Sequence, residues 1–350
     1  MSNAAEKSFG CFFRFMSQPL WFGLPLCSLF YSDDKRWGNL GLVIKPEALR
    51  PGDTIGLIAP AGPVREKELE DCIRMLSGFG YPVKTGKSAG KAYGYLAGKD
   101  SYRKDDLEAM FLDPEVKAVF CLRGGYGSLR IIDRIDYEVI RHHPKIFVGY
   151  SDITALHIAI RQICGLVTFH GPMGAELSGE RYDEESWGVL FSVLSGRDVK
   201  SYTPNEHFFS IVPGVAEGEL TGGNLSLLRS AVGTSYEVDT RDKILLLEDV
   251  NEEVYAIDGM LNQLRLAGKF EHVRGVILSD FRLAEPGRDK PSLPFREMIE
   301  TFFAPLGIPC FYGLSAGHCR PNFTLPIGGK VRMDSERGRV QITEPPVIPT

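Results

Sequence analysis

A serine, a glutamate and two histidines stand where folded chains often place reactive groups. Ser151 lies in "KIFVGYSDITALH", Lys145 to His157. There an apolar run, Ile146-Phe147-Val148, meets Gly149-Tyr150, and a stretch of helical pattern follows. A serine at such a junction can cap the helix, because its hydroxyl satisfies a free backbone N–H. It can equally be a nucleophile held on a sharp strand-to-helix turn. Gly149–Ile153 comes close to G-x-S-x-G but ends in Ile153 where that turn has glycine.

A serine hydroxyl needs a base, and the base needs an orienting acid. The chain has 7 histidines. His142 and His143 precede Pro144 in a polar segment, and His207 and His272 sit among charges. His157 lies six residues beyond Ser151, on another side of the helix, where packing explains it. His170 in "FHGPM" and His318 in "GLSAGHCRPNFTLPIG" both follow apolar segments and border glycine-rich turns. The pattern does not choose between them, nor between either and a structural role. Glu248 follows Ile244-Leu245-Leu246-Leu247, the polar end of a buried strand. A carboxylate there needs partners: it caps or pairs with the next helix, or it orients a histidine.

"CLRGGYG", Cys121 to Gly127, also ends an apolar run. In a parallel sheet the carboxyl ends of the strands share one edge, where ligands bind. The loops at Gly124 and Ser151 can therefore meet there. Gly124 and Gly125 let backbone N–H groups approach a ligand. One N–H from this loop and that of Asp152 would make an oxyanion hole, and a helix starting near Ile153 adds its positive end. A plain tight turn is the alternative for Arg123–Gly127.

Several other motifs fail. Gly80–Ser88, "GYPVKTGKS", has five residues where a phosphate-binding loop has four. "GYGSLR" carries Arg130 at the third glycine of a dinucleotide fingerprint. "SAGK" formally matches S-x-x-K, but in a glycine-rich loop expected to be solvated. With no H-E-x-x-H and no carboxylates at calcium spacing, neither a catalytic metal nor a cofactor is expected.

The elements that must position these residues read as an α/β chain. Its 350 residues are enough for two domains. They are 43% apolar and 24% charged with a net charge of −5, which argues against nucleic acid as the main partner. The 7 cysteines are scattered without a C-x-x-C pair, as reduced thiols would be. Residues 1–40 are apolar, aromatic and interrupted by Pro19 and Pro25. They read as a poorly ordered extension, too broken for a membrane span. From 41 to 175, nearly continuous apolar strands at Asp53–Gly62, Val116–Leu122 and Lys145–Tyr150 alternate with helical stretches at Glu66–Phe79, Ser101–Phe111, Ser128–Ile135 and Ile153–Cys164. That pattern predicts a parallel sheet covered on both faces. Residues 176–215 lose the rhythm and read as a connection; residues 216–345 form a second, strand-rich domain.

Six segments, "RGGYG", "GYSDITALH", "HGPM", "GGNL", "LLLEDVNEEVYAIDGML" and "GH…TLPIG", occur in an order that resembles the LD-carboxypeptidases. These are cytoplasmic bacterial serine peptidases acting on murein peptides, and the family also includes microcin C immunity-type hydrolases. The likeness runs from Ile44 to Ile342. It implies a Rossmann-like parallel-sheet N-terminal domain, a smaller swivelling β/α C-terminal domain, a homodimer and a site between the domains. It further implies Ser151 as nucleophile, Glu248 as acid, His318 as base, and the backbone of Asp152 and Gly125 as the oxyanion hole. Gly124, Tyr126 and Asn224 would line the substrate site, and His170 would be site-lining or structural. The implied substrate is a small peptide, the murein tetrapeptide, cut at the L-D bond to its terminal D-alanine in peptidoglycan recycling. The implied enzyme is cytoplasmic and works without metal, cofactor, nucleic acid or membrane. The alternative within the family is hydrolysis of aminoacyl-adenylate analogues, which would call for an aromatic to stack on the base: Trp187, Phe208, Phe209, Phe281 or Tyr312. Gly259 stands in "AIDGML" where relatives commonly carry arginine, and the N-terminal extension lies outside the pattern.

Overall fold

A computed structural model describes residues 43–197, 200–283 and 291–349; the expectation for residues 1–40 lies outside them. In chain order the first elements are β1 (Thr54–Ile58), α1 (Glu66–Gly78), β2 (Val83–Thr85), α2 (Asp100–Leu112), β3 (Val116–Cys121), α3 (Tyr137–His142), β4 (Ile146–Gly149), α4 (Thr154–Cys164), β5 (Thr168–His170) and α5 (Glu184–Leu194). There follow β6 (Ser201–Tyr202), β7 (Phe209–Val212), β8 (Val215–Asn224), α6 (Leu225–Ala231), β9 (Lys243–Glu252), α7 (Val254–Leu266), β10 (Gly275–Leu283), α8 (Phe295–Phe303), β11 (Cys310–Tyr312), β12 (Leu325–Ile327), β13 (Lys330–Asp334) and β14 (Arg339–Ile342).

Among the described residues these strands make two sheets. The first runs β12-β5-β4-β3-β1-β2, with β2, β1, β3, β4 and β5 mutually parallel. Its central strands are apolar almost without interruption because helices cover both faces: every residue of β4 is buried, and only Lys117 of β3 is exposed. The second sheet runs β6-β14-β13-β8-β9-β10-β11-β7, with a parallel centre β8-β9-β10-β11 and antiparallel flanks.

Three features depart from what the residue pattern predicts. Ser128–Ile135, expected to be helical, forms only a short 3-10 turn at Ser128–Arg130 followed by further turns. The stretch read as a connection contains α5, whose Trp187 is buried and whose ring lies 6.4 Å from that of Phe120 of β3. Strand β12, far along the chain, returns to pair antiparallel with β5 at the edge of the first sheet. The chain therefore crosses back after the second sheet has largely been built.

Helix α4 lies between the sheets. Its residues are nearly all buried. Leu156 and Ile160 pack with Val119 and Phe147, whereas Ile158 packs with Leu225, Leu245 and Leu247 of the second half. Apolar residues on more than one side of the helix are what this two-sided burial requires.

Candidate active site

Strand β4 ends at Gly149 and α4 begins at Thr154, so the four residues between them must turn the chain. Ser151 sits among them with φ of 63°, a left-handed conformation that residues other than glycine rarely adopt. Strain of this kind, held by its surroundings, marks a positioned side chain. Gly124, on the loop after β3, presses against that bend. A Cβ on Gly124 would come within 2.8 Å of Ser151 Cβ and 2.9 Å of its Oγ, so only glycine fits. Next to it, Gly125 takes a φ of 98°.

The loop is fixed from below. Asp152 is buried and its Oδ2 accepts the backbone N–H of Ser128 at 2.8 Å and the Ser128 hydroxyl. Burial raises the Asp152 pKa, while the bonds from Ser128 and Gly127 oppose that rise. The fully buried Arg103 donates to the carbonyls of Pro60 and Gly127, the latter at 2.9 Å, and pairs with Asp100. Both Arg103 and Ser128 escaped the sequence reading; a charged residue inside an amphipathic helix carries no signal that it is buried.

His318 follows β11 in a glycine-rich loop. Its Nε2 lies 3.2 Å from Ser151 Oγ, and its Nδ1 lies 2.6 Å from Glu248 Oε2. Glu248 is wholly buried in β9. Gly317 makes room for it, since a Cβ there would lie 2.6 Å from Oε2. Burial works against protonation of His318, but the hydrogen bond and charge of Glu248, with Asp249 and Glu176, outweigh it and hold the imidazole pKa above its ordinary value. The structure thus brings Ser151, His318 and Glu248 into one hydrogen-bonded row, with the backbones of Asp152 and Gly124 beside the hydroxyl.

His170, the other candidate base, is buried at the end of β5 behind Tyr150, whose ring centroid is 5.8 Å away. Burial pushes its pKa down to about 3. His157 bonds Thr168 Oγ1 and the carbonyl of Gly149, each at 2.8 Å, and burial pushes its pKa down to about 4. Tyr150 also packs edge-on against His318 at 4.9 Å, and its phenol hydrogen-bonds Glu176. Neither Tyr150 nor Glu176 stood out in the sequence.

The remaining sequence candidates are dispersed. Tyr126 is half exposed at the rim, its ring 5.5 Å from that of Tyr95. Asn224 is buried and caps α6: its side chain accepts from Leu227 N, donates to Asp249 Oδ1 at 3.1 Å and stands beside Glu248. Its amide is therefore tied up beneath the acid. Ser88 of "SAGK", expected in solvent, is buried, its N–H bonded to Asp106 and its Oγ accepting from Ala59 N. Among the described residues no group of three or more His, Cys, Asp or Glu could hold a metal ion, and no helix is long and apolar enough to cross a membrane.

Comparison with known proteins assigns both halves of the chain to one family. Residues 55–171 match the LD-carboxypeptidase N-terminal domain, and residues 217–333 match the LD-carboxypeptidase C-terminal domain. The chain is 45% identical over 302 residues to a probable murein peptide carboxypeptidase of Bacillus subtilis, covering 85% of this chain and 94% of that one. Among solved structures it resembles an MccF-like protein of Bacillus anthracis, with a TM-score of 0.77 and 30% identity over 86% of this chain and 99% of that one. It also resembles a muramoyltetrapeptide carboxypeptidase of Oxalobacter formigenes, with a TM-score of 0.74 and 29% identity over 82% of this chain and 97% of that one. Matched along both of its halves, the chain belongs to the LD-carboxypeptidase family of peptidases.

Proposed function

We propose that this chain is a serine LD-carboxypeptidase that removes the terminal D-alanine from murein tetrapeptides, a reaction of peptidoglycan recycling. The observation that carries the reading is the row from Ser151 Oγ through His318 to Glu248, at 3.2 and 2.6 Å, with the serine in a strained turn. In this reading Ser151 Oγ attacks the carbonyl carbon that precedes the terminal residue, and its proton passes to His318 Nε2. The new oxyanion accepts N–H bonds from Asp152 and Gly125. Collapse of the tetrahedral intermediate breaks the C–N bond, and the imidazolium returns the proton to the departing amine. Water, deprotonated by His318, then releases the acyl group and regenerates the hydroxyl. Glu248 holds Nδ1–H and stabilises the imidazolium that forms twice in the cycle.

The family's other reaction, on aminoacyl-adenylate analogues, has the support of the likeness to the MccF-like protein. The aromatics that could stack on a base weigh against it. Trp187, Phe281 and Tyr312 are buried, and Phe208 and Phe209 pack on Phe311 and Tyr312. The test is mass spectrometry of murein tetrapeptide, and of an aminoacyl-sulfamoyl adenosine, before and after incubation. Loss of one alanine from the tetrapeptide, absent with Ser151→Ala, is the expected result. Cleavage of the adenosine analogue alone would replace this reading with the other.

A further inference from the structure

A peptidase that takes only the last residue must recognise the free carboxylate at that end. The reaction proposed above says where to look. His318 Nε2 protonates the departing amine, so the departing residue lies on the outer side of His318, away from the oxyanion donors at Asp152 and Gly125. The chain leaving His318 runs directly into the wall of a cavity of about 500 Å³. Cys319, Arg320 and Ser315 line it together with Glu206, His207, Asp280 and Arg282. Asp280 is coupled electrostatically to Arg282, His207 and His318 alike, which places the cavity's charges within reach of the reacting histidine. Both signs of charge are present, as suits the zwitterion that hydrolysis releases. Arg320 is partly committed, donating to the carbonyl of Glu180 at 2.6 Å. Arg282 and His207 are solvent-facing; His207 Nε2 lies 3.7 Å from the Glu206 carboxylate, which leaves the Arg282 guanidinium as the main donor.

We propose that this cavity is the leaving-residue subsite, in which Arg282 and His207 bind the terminal carboxylate of the substrate. The site then excludes internal peptide bonds, because an amide at that position leaves the Arg282 guanidinium without an anion. The volume exceeds what an alanine fills, so the subsite selects for the charge rather than for a small side chain. The proposal rests on the reaction assigned above.

The experiment measures binding apart from turnover. Calorimetry of the Ser151→Ala protein with murein tetrapeptide and with its C-terminal carboxamide should show the acid bound about ten-fold or more tightly, the share of one charge-assisted hydrogen bond. Adding Arg282→Gln should bring the ratio close to one, and adding His207→Gln should lower it. Equal binding of acid and carboxamide, or a ratio that survives both substitutions, overturns the subsite. If wild-type protein still cleaves the acid in that case, the assigned reaction stands and only the subsite falls. If neither peptide binds and neither is cleaved, both fall.

Discussion

The hydroxyl of Ser151 has glycine as its neighbour, and Gly124→Ala tests how tightly the two loops are held. The added methyl would start 2.8 Å from Ser151 Cβ, 2.9 Å from Oγ and 3.2 Å from the Asp152 nitrogen. Non-bonded carbon atoms settle no closer than about 3.5 Å, so the loops must part by about 0.7 Å. That shift falls on both the nucleophile and an oxyanion donor, while the histidine stays with Glu248. A misplacement of about 1 Å at a reacting centre costs on the order of 10²-fold in rate, so kcat on the tetrapeptide should fall between about ten-fold and a hundred-fold. Gly124 does not occupy the left-handed region, so the cost is the clash alone: the protein should stay folded with its melting temperature lowered by a few degrees. Labelling of Ser151 by a serine-reactive phosphonate should slow in step with kcat. Wild-type turnover and labelling in a folded Gly124→Ala protein would show that the loop is not pressed on the nucleophile, and the account of the oxyanion site would fail.

Ser151→Ala and His318→Ala should each lower kcat by about 10⁴-fold or more with the fold intact; near-normal turnover in either would reject its role. Because the His318 pKa is raised and catalysis needs the neutral imidazole, kcat/KM should fall with decreasing pH along a limb that begins above pH 6.5. Glu248→Gln should move that limb to lower pH, and an unmoved limb would show that Glu248 does not act on the base. His157 and His170 are buried neutral, with pKa values lowered from 6.5 to about 4 and about 3. Their contribution is complete above pH 6.5 and is lost as pH falls below it, at up to about 1.4 kcal/mol per pH unit for each. Urea midpoints between pH 7 and 5 should show this slope, and His170→Phe should flatten it; an unchanged slope would remove His170 from the explanation. Arg103→Met should cost about 3 kcal/mol or more by leaving buried carbonyls and Asp100 unpaired, measured as a urea midpoint against wild type.

The first sheet was legible because its central strands are buried on both faces, which leaves runs such as Ala118–Cys121 and Ile146–Val148 apolar at every position. Strand β12 was not. Its three residues, Leu325-Pro326-Ile327, carry no period, and its partner lies more than 150 residues earlier. Helix α5 was missed because acidic residues at its start mimic a loop, although Asp183 is a helix cap bonded to Ser186 N. At the site, residue pattern alone left His170 and His318 level, since both end apolar segments at glycines. The difference between them is tertiary: β9 brings Glu248 under His318, whereas His170 faces Tyr150. Asn224 illustrates the opposite limit. A buried asparagine and a substrate-facing one look the same in sequence, and its hydrogen bond to Asp249 depends on the β8–β9 register.

That register also explains how the row of three side chains is held together. Ser151 lies three residues before Thr154, whose Oγ1 accepts the backbone N–H of Asn224 at 3.0 Å. Asn224 pairs with Glu248 across β8 and β9, Glu248 bonds His318, and His318 reaches back to Ser151. The path closes on itself through covalent steps and hydrogen bonds alone. Further along α4, Arg161 is paired with Glu219 of β8 at 2.6 Å, and Gln162 bonds the backbone at Glu237 and Asp239. A rotation of one sheet against the other would have to break the Thr154 and Arg161 bonds and the burial of Ile158 before it could separate the serine from the histidine. Electrostatic stabilisation is cheapest when donors and charges need no rearrangement during reaction. Helix α4, gripped on both sides, supplies that condition for the serine that precedes it and for the Asp152 N–H.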